Sequence, residues 1–157
     1  RGINIDISKK SIDLFKIARK KDINLNIGAG NKNEISKAYF EKDLFHANTL
    51  DHGHSERFLK VSNTKEIKVQ TLDSVINEHA KNMKIDFIDI DCEGKDLQVL
   101  QGLDLGKNKI DLILIEAHGY NENTKRSGEL IFDIMKRNNF KKLYGDYPDN
   151  LIFKNFN

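Results

Sequence analysis

The chain has 157 residues, the size of one domain of roughly 100–150 residues, and its 38% apolar and 32% charged content argues against a disordered or membrane-embedded chain. Lys and Arg number 26 against 24 Asp and Glu, a net charge of +2 with the signs interspersed and no long basic run, so no nucleic-acid or anionic-membrane partner is expected. Apolar runs such as Leu112 to Ile115 fall far short of the ~20 residues of a membrane-spanning helix, and the single cysteine, Cys92, excludes an internal disulfide and a multi-cysteine zinc site and suits a reducing, cytoplasmic compartment.

The chain opens on Arg1, and residues 2–7 already read as a strand by their β-branched alternation. Ser8 or Ser11 can cap a helix to about Lys20, with Ile12, Phe15, Ala18 and Arg19 at helical spacing. Residues 23–28 alternate apolar and polar as a second strand, 30–33 carry turn chemistry, and Ser36 to Phe40 suits another strand. Residues 43–64 are polar and rich in His and Asn, and read as a surface excursion. Its His52-Gly-His54 pair could bind metal or contact a substrate, with a solvated loop the plainer reading. Ile67 to Thr71 is a strand, and Asp73 can cap a helix to about Lys81.

Lys84 to Asp91 reads as a buried strand, followed by a turn at Cys92-Glu93-Gly94 and a helix over 95–101 with Leu97 and Leu100 facing the core. Gly102 closes it at the position where helices favour left-handed geometry. Ile110 to Ile115 is nearly all apolar, as in a parallel sheet covered on both faces. Ser127 can cap a helix through Ile131, Ile134 and Met135. Phe140 to Tyr144 and Asn150 to Phe153 bracket a turn at Tyr147-Pro148-Asp149, a closing antiparallel hairpin. Strand–helix alternation ending in a hairpin predicts an α/β fold with a mainly parallel sheet.

Ligands of open α/β sheets bind beyond the carboxyl ends of the strands. There the sequence places Asp6, then Asp91 and Glu93, then Glu116 and His118. Asp6 alone could cap the next helix, and a lone histidine is usually structural. Acids and an imidazole at successive strand ends form a candidate site.

The segment Ile85-Asp-Phe-Ile-Asp-Ile-Asp91-Cys-Glu93-Gly94-Lys-Asp96-Leu-Gln-Val-Leu100 resembles the "IDFLxIDVEGxDLEVL" signature of the FkbM-type S-adenosylmethionine-dependent methyltransferases. Arg1 to Asp6 resembles the family's second strand, Val69-Gln-Thr-Leu-Asp73 its "VxTLD" segment, and Ile113-Leu-Ile-Glu116-Ala-His118 its "hIEhH/N" strand. The resemblance implies a Rossmann-like class I methyltransferase fold and S-adenosyl-L-methionine as cofactor. It implies that Asp6 binds the cofactor ribose and that Asp91 faces methyl donor and acceptor, with Glu93 beside it. Asp89 and Cys92 depart from the pattern. The first adds an acid to a buried strand, and the second reads as a structural replacement for valine.

Leu25-Asn-Ile-Gly28-Ala-Gly30-Asn31 resembles a cofactor glycine loop but has no helix directly after it. It is read as a turn, with Gly28 and Ala29 near the adenine, matching the family's third strand. On that reading the first strand and its "D-h-G-A-N-x-G" loop are missing. The expectation is a single methyltransferase-like domain over 1–157, truncated at its N-terminus, with two parallel strand edges left without partners.

The family mostly methylates hydroxyls of sugars, glycolipids or small metabolites. Asp91, Glu93 or His118 is then the group that orients or deprotonates an acceptor hydroxyl. Two rival readings stand beside this one. A divalent metal on Asp91, Glu93, Glu116 and His118 could assist methyl transfer or serve a metal-dependent enzyme. A non-catalytic domain could keep the fold as a binding module.

Overall fold

The computed structural model describes residues 1–117, 122–145 and 150–156. The predicted turn at Tyr147-Pro148-Asp149 and the candidate His118 lie outside the described residues. The first strand, β1 (Ile3–Ile5), leads into α1 (Lys9–Ala18). Ser8 caps that helix: its Oγ accepts the Ser11 N–H, and Asp6 Oδ1 in turn accepts the Ser8 N–H at 2.6 Å. Ile12 turns inward and is 1% exposed.

The predicted strand over 23–28 is two strands in different sheets. β2 (Ile23–Leu25) pairs in parallel with β1, and β3 (Gly28–Ala29) pairs in parallel with β5 (Asn63–Gln70). The break falls at Asn26, whose side-chain amide donates to the carbonyls of Asp6 and Ile7 and so satisfies the corner where ladder bonds stop. β4 (Glu34–Phe40) runs antiparallel to β5, from Glu34 opposite Val69 to Phe40 opposite Asn63.

The polar excursion is folded rather than irregular. It contains α2 (His52–Phe58), capped by Asp51, whose Oδ1 accepts the His54 N–H. α3 (Leu72–His79) is capped by Thr71, not Asp73. Asp73 sits in the first turn of the helix, where its carboxylate accepts from the Asp104 N–H and the Asn108 amide.

The third sheet orders β6 (Ile85–Ile90), β7 (Ile110–Glu116), β9 (Asn150–Asn155) and β8 (Phe140–Tyr144). β6 and β7 are parallel, while β9 is antiparallel to both of its neighbours, which gives the closing hairpin pair. α4 (Asp96–Gln101) and α5 (Glu122–Arg137) complete the fold. Ser127 lies inside α5, its hydroxyl donating to the carbonyl of Asn123 instead of capping an end. The core joins Leu97, Val99 and Leu100 of α4 to Ile110, Ile113 and Ile115 of β7, Ile131 and Met135 of α5, and Leu151 and Phe153 of β9.

The result is a mixed α/β architecture. Its pairings among the described residues are three parallel and three antiparallel. The expectation of a mainly parallel sheet is corrected on this point: after the excursion β5 returns antiparallel beside β4, and β9 enters antiparallel beside β7.

β6 is also less buried than its apolar look suggests. Ile90 is 2% exposed but Phe87 is 51% exposed, and Asp89, expected as a buried acid, is exposed. Among the described residues β6 pairs only with β7, and β1 only with β2. Neither strand has the cover that a second neighbour brings. Hydrogen exchange should show this directly, since outward-facing amides of β6 lack a ladder partner. They are expected to exchange at least about tenfold faster than amides of β7, which is bonded on both sides. Equal protection would mean that the open edge of β6 is covered.

Candidate functional site

The chain leaves β6 at Ile90 and turns through Asp91 to Lys95 into α4. Two consecutive residues take left-handed backbone, Glu93 with φ +50° and Gly94 with φ +94°. The first costs about 1–2 kcal/mol in a residue that bears a Cβ. Asp96 holds the turn from inside. It is 4% exposed, its Oδ1 accepts the Cys92 N–H at 2.8 Å and its Oδ2 accepts the Gly94 N–H at 3.2 Å.

The excursion holds the same turn from outside. Thr49, 1% exposed, donates its hydroxyl to the carbonyl of Glu93 at 2.7 Å. The Asp51 carboxylate lies 3.0 Å from Lys95 Nζ, and His54 Nε2 lies 3.1 Å from Glu93 Oε2. A Cβ on Gly94 would stand 3.3 Å from both Cβ and Nδ1 of His54. Glycine therefore serves both the backbone angle and the seat of the imidazole.

Acids gather at these strand ends. Asp91, Asp96 and Glu116 each bring a carboxylate oxygen within 4.8 Å of the others, a spacing that could hold a cation. Burial pushes the Asp96 carboxyl up to about 6, with Glu116 and Asp91 adding to the rise against the lowering effect of the Cys92 N–H and its own backbone N–H. Burial also raises the Cys92 thiol, and Asp96, Asp91, Asp89 and Asp6 all add to that shift. Cys92 therefore stays a protonated thiol packed against the core, as its structural reading requires. At Asp51 burial again pushes the carboxyl up, but the His54 N–H and Lys95 outweigh it and hold that carboxyl below its usual range.

The predicted residues separate accordingly. Asp91 joins Glu116 in the carboxylate cluster, and Asp6 is close enough to act on Cys92. Glu93 instead turns to His54, and among the described residues the carboxylate cluster holds Asp96 beside Asp91 and Glu116, with His118 outside the described residues. Gly28 and Ala29 lie in the short β3. A Cβ on Gly28 would meet Leu50 at 2.6 Å and Val69 at 3.2 Å, so its bare α-carbon faces packed side chains.

The sequence reading gave no site role to Asp96, Thr49 or Asp51, and raised His54 only with His52 as a metal or substrate contact, not as a neighbour of Glu93. Asp96 carried a legible signal, an acid opening a helix right after a glycine turn. Thr49, Asp51 and His54 lie about forty residues from Glu93, and nothing local marked that they meet this turn. His52 and His54 also differ, with side chains 65% and 8% exposed, so a solvated loop describes only the first.

No helix among the described residues is long and apolar enough to cross a membrane. No curated protein and no solved structure matches the chain. A family model does, the "Methyltransferase FkbM domain", over residues 2–142. That span contains the glycine turn, its cap Asp96 and the whole carboxylate cluster, and the chain belongs to the FkbM methyltransferase family.

Proposed function

We propose that this domain transfers a methyl group from S-adenosylmethionine to a hydroxyl of a sugar, glycolipid or small metabolite, in the cytoplasm. The observation that carries the reading is the gathering of Asp6, Asp91, Asp96 and Glu116 around the end of β6, in a chain of a methyltransferase family. When bound, S-adenosylmethionine supplies an electrophilic methyl on a sulfonium. The donor set suits it, because a ligand bearing a sulfonium and an ammonium is cationic and the strand ends here are lined with carboxylates.

Asp6 keeps one oxygen on the Ser8 N–H, which fixes the carboxylate and leaves the other for a ribose hydroxyl. Asp91 faces the ligand, and Glu93 or His118 receives the acceptor's proton. The carboxylate or imidazole would take that proton, and S-adenosylmethionine, when bound, would supply the methyl and leave as the neutral thioether. β1 and β6 each keep one open edge among the described residues. We infer that a parallel strand bearing the family's glycine loop joins them.

Calorimetry with S-adenosylhomocysteine, on the protein that carries this domain, tests the reading. Asp6→Asn and Asp91→Asn are each expected to weaken binding about tenfold or more, the worth of a hydrogen bond to a charged group. Unchanged affinity in both variants would remove these residues from the cofactor site. Binding by a protein that methylates no hydroxyl would favour the binding-module reading.

A further inference from the structure

We infer that His54 is the positioning residue for the Glu93 carboxylate in methyl transfer, an inference that rests on the hydroxyl-methylation reading above. Two side chains from the excursion grip the two ends of Glu93. Thr49 takes its backbone carbonyl at 2.7 Å, and His54 Nε2 lies 3.1 Å from its carboxylate Oε2. Glu93 is the residue held at φ +50°. A strained non-glycine conformation persists only where the surroundings over-determine it, and such residues collect at functional sites.

The imidazole is itself fixed on two sides. Asp51 Oδ1 accepts the His54 backbone N–H at 2.8 Å, and the missing Cβ of Gly94 leaves the ring its space. Asp51 and Lys95 form an ion pair between the excursion and the turn, so they lock the helix that carries His54.

The order of burial assigns the roles. The His54 side chain is 8% exposed and that of Glu93 21%, so the imidazole stands behind the carboxylate and the carboxylate stands nearer the solvent. A substrate hydroxyl then meets Glu93, and His54 acts through it. The imidazole lies against the Oε2 side of the carboxylate and limits how it can turn, and the carboxylate receives the acceptor's proton. His52 on the same helix provides a natural contrast, with a side chain 65% exposed and directed to Glu56 and Tyr39.

The test compares His54→Ala, His54→Gln and His52→Ala in the protein that carries this domain. Methyl transfer from S-adenosylmethionine is measured to a panel of methyl pyranosides and a monosaccharide-bearing glycolipid, with S-adenosylhomocysteine affinity followed in parallel. His54→Ala is expected to lower kcat about tenfold or more while cofactor affinity stays within about threefold, because a loosened carboxylate is misoriented. His54→Gln, whose amide fills similar space and brings an N–H within reach of Glu93, recovers a substantial part of that loss, and His52→Ala matches the wild type. Wild-type kcat in His54→Ala overturns the inference and leaves the hydroxyl reading intact. Joint loss of kcat and cofactor affinity without rescue by glutamine also overturns it, by making His54 merely structural. No transfer to any panel member by the wild type overturns the hydroxyl reading, and the inference falls with it.

Discussion

Gly102→Ala is expected to destabilise the protein by about 3 kcal/mol or more, near the upper end of what overpacking costs. Gly102 ends α4 with φ −84°, a backbone angle open to any residue. The left-handed conformation that the sequence suggests is therefore not what keeps glycine there. The reason is space: a Cβ would stand 2.1 Å from the carbonyl oxygen of Gly30 and 3.3 Å from Cα of Asn31. Both obstacles are backbone, so no rotamer change relieves the overlap, and the loop after β3 must move away from α4. Gly53→Ala is the control. Its nearest obstacle is Asp51 Oδ1 at 3.4 Å, and within α2 alanine gains helix propensity worth up to about 1 kcal/mol. Urea unfolding of both variants checks the contrast. A midpoint for Gly102→Ala close to wild type would show that the contact between the loop and α4 yields freely.

Asp96 is expected to make stability fall as pH rises from about 4 to about 6. Its folded-state carboxyl titrates at about 6 against an ordinary 3.8, so the folded protein holds this proton more tightly than the unfolded chain. The contribution is fully present below the unfolded value and is lost as pH rises through the folded one. A shift of that size corresponds to about 3 kcal/mol. Asp96→Asn removes the titration but keeps the shape. It also turns an amide NH₂ toward one of the two N–H groups, Cys92 or Gly94, that the carboxylate now serves. The variant is therefore the less stable protein at pH 4, and the gap narrows or reverses by pH 7. Unfolding free energies of both proteins between pH 4 and 7.5 measure the difference, in which the other acids largely cancel. A gap constant with pH would show that Asp96 stays ionised throughout.

Much of the fold was legible because its signals are local. Ser8 as the cap of α1, the apolar run of β7 and the hairpin strands from Phe140 and Asn150 each depend on residues a few positions apart. The run from Ile85 to Leu100 was legible for the same reason, and it carried the family. Asp6, Asp91 and Glu116 could be placed at strand ends because strand ends follow from periodicity.

Other features depended on partners distant in the chain. Thr71 rather than Asp73 caps α3, since Asp73 is drawn to Asp104 and Asn108 across the core edge. The apparent strand over 23–28 divides because its two halves find different neighbours, β1 and β5. β6 looks buried by composition, yet burial is set by what lies beside a strand.

The sequence by itself determined the family, the alternation of strands and helices, and the acids at the strand ends, all encoded in runs shorter than a helix. Only the tertiary structure decided that Asp96 caps the turn from within and that Glu93 leaves the carboxylate cluster for His54. The first rests on burial of a short local contact by the surrounding core, and the second on contacts closed through loops of some forty residues. Loop-closure entropy rises so slowly with length that the chain leaves no local mark of where such a contact will fall.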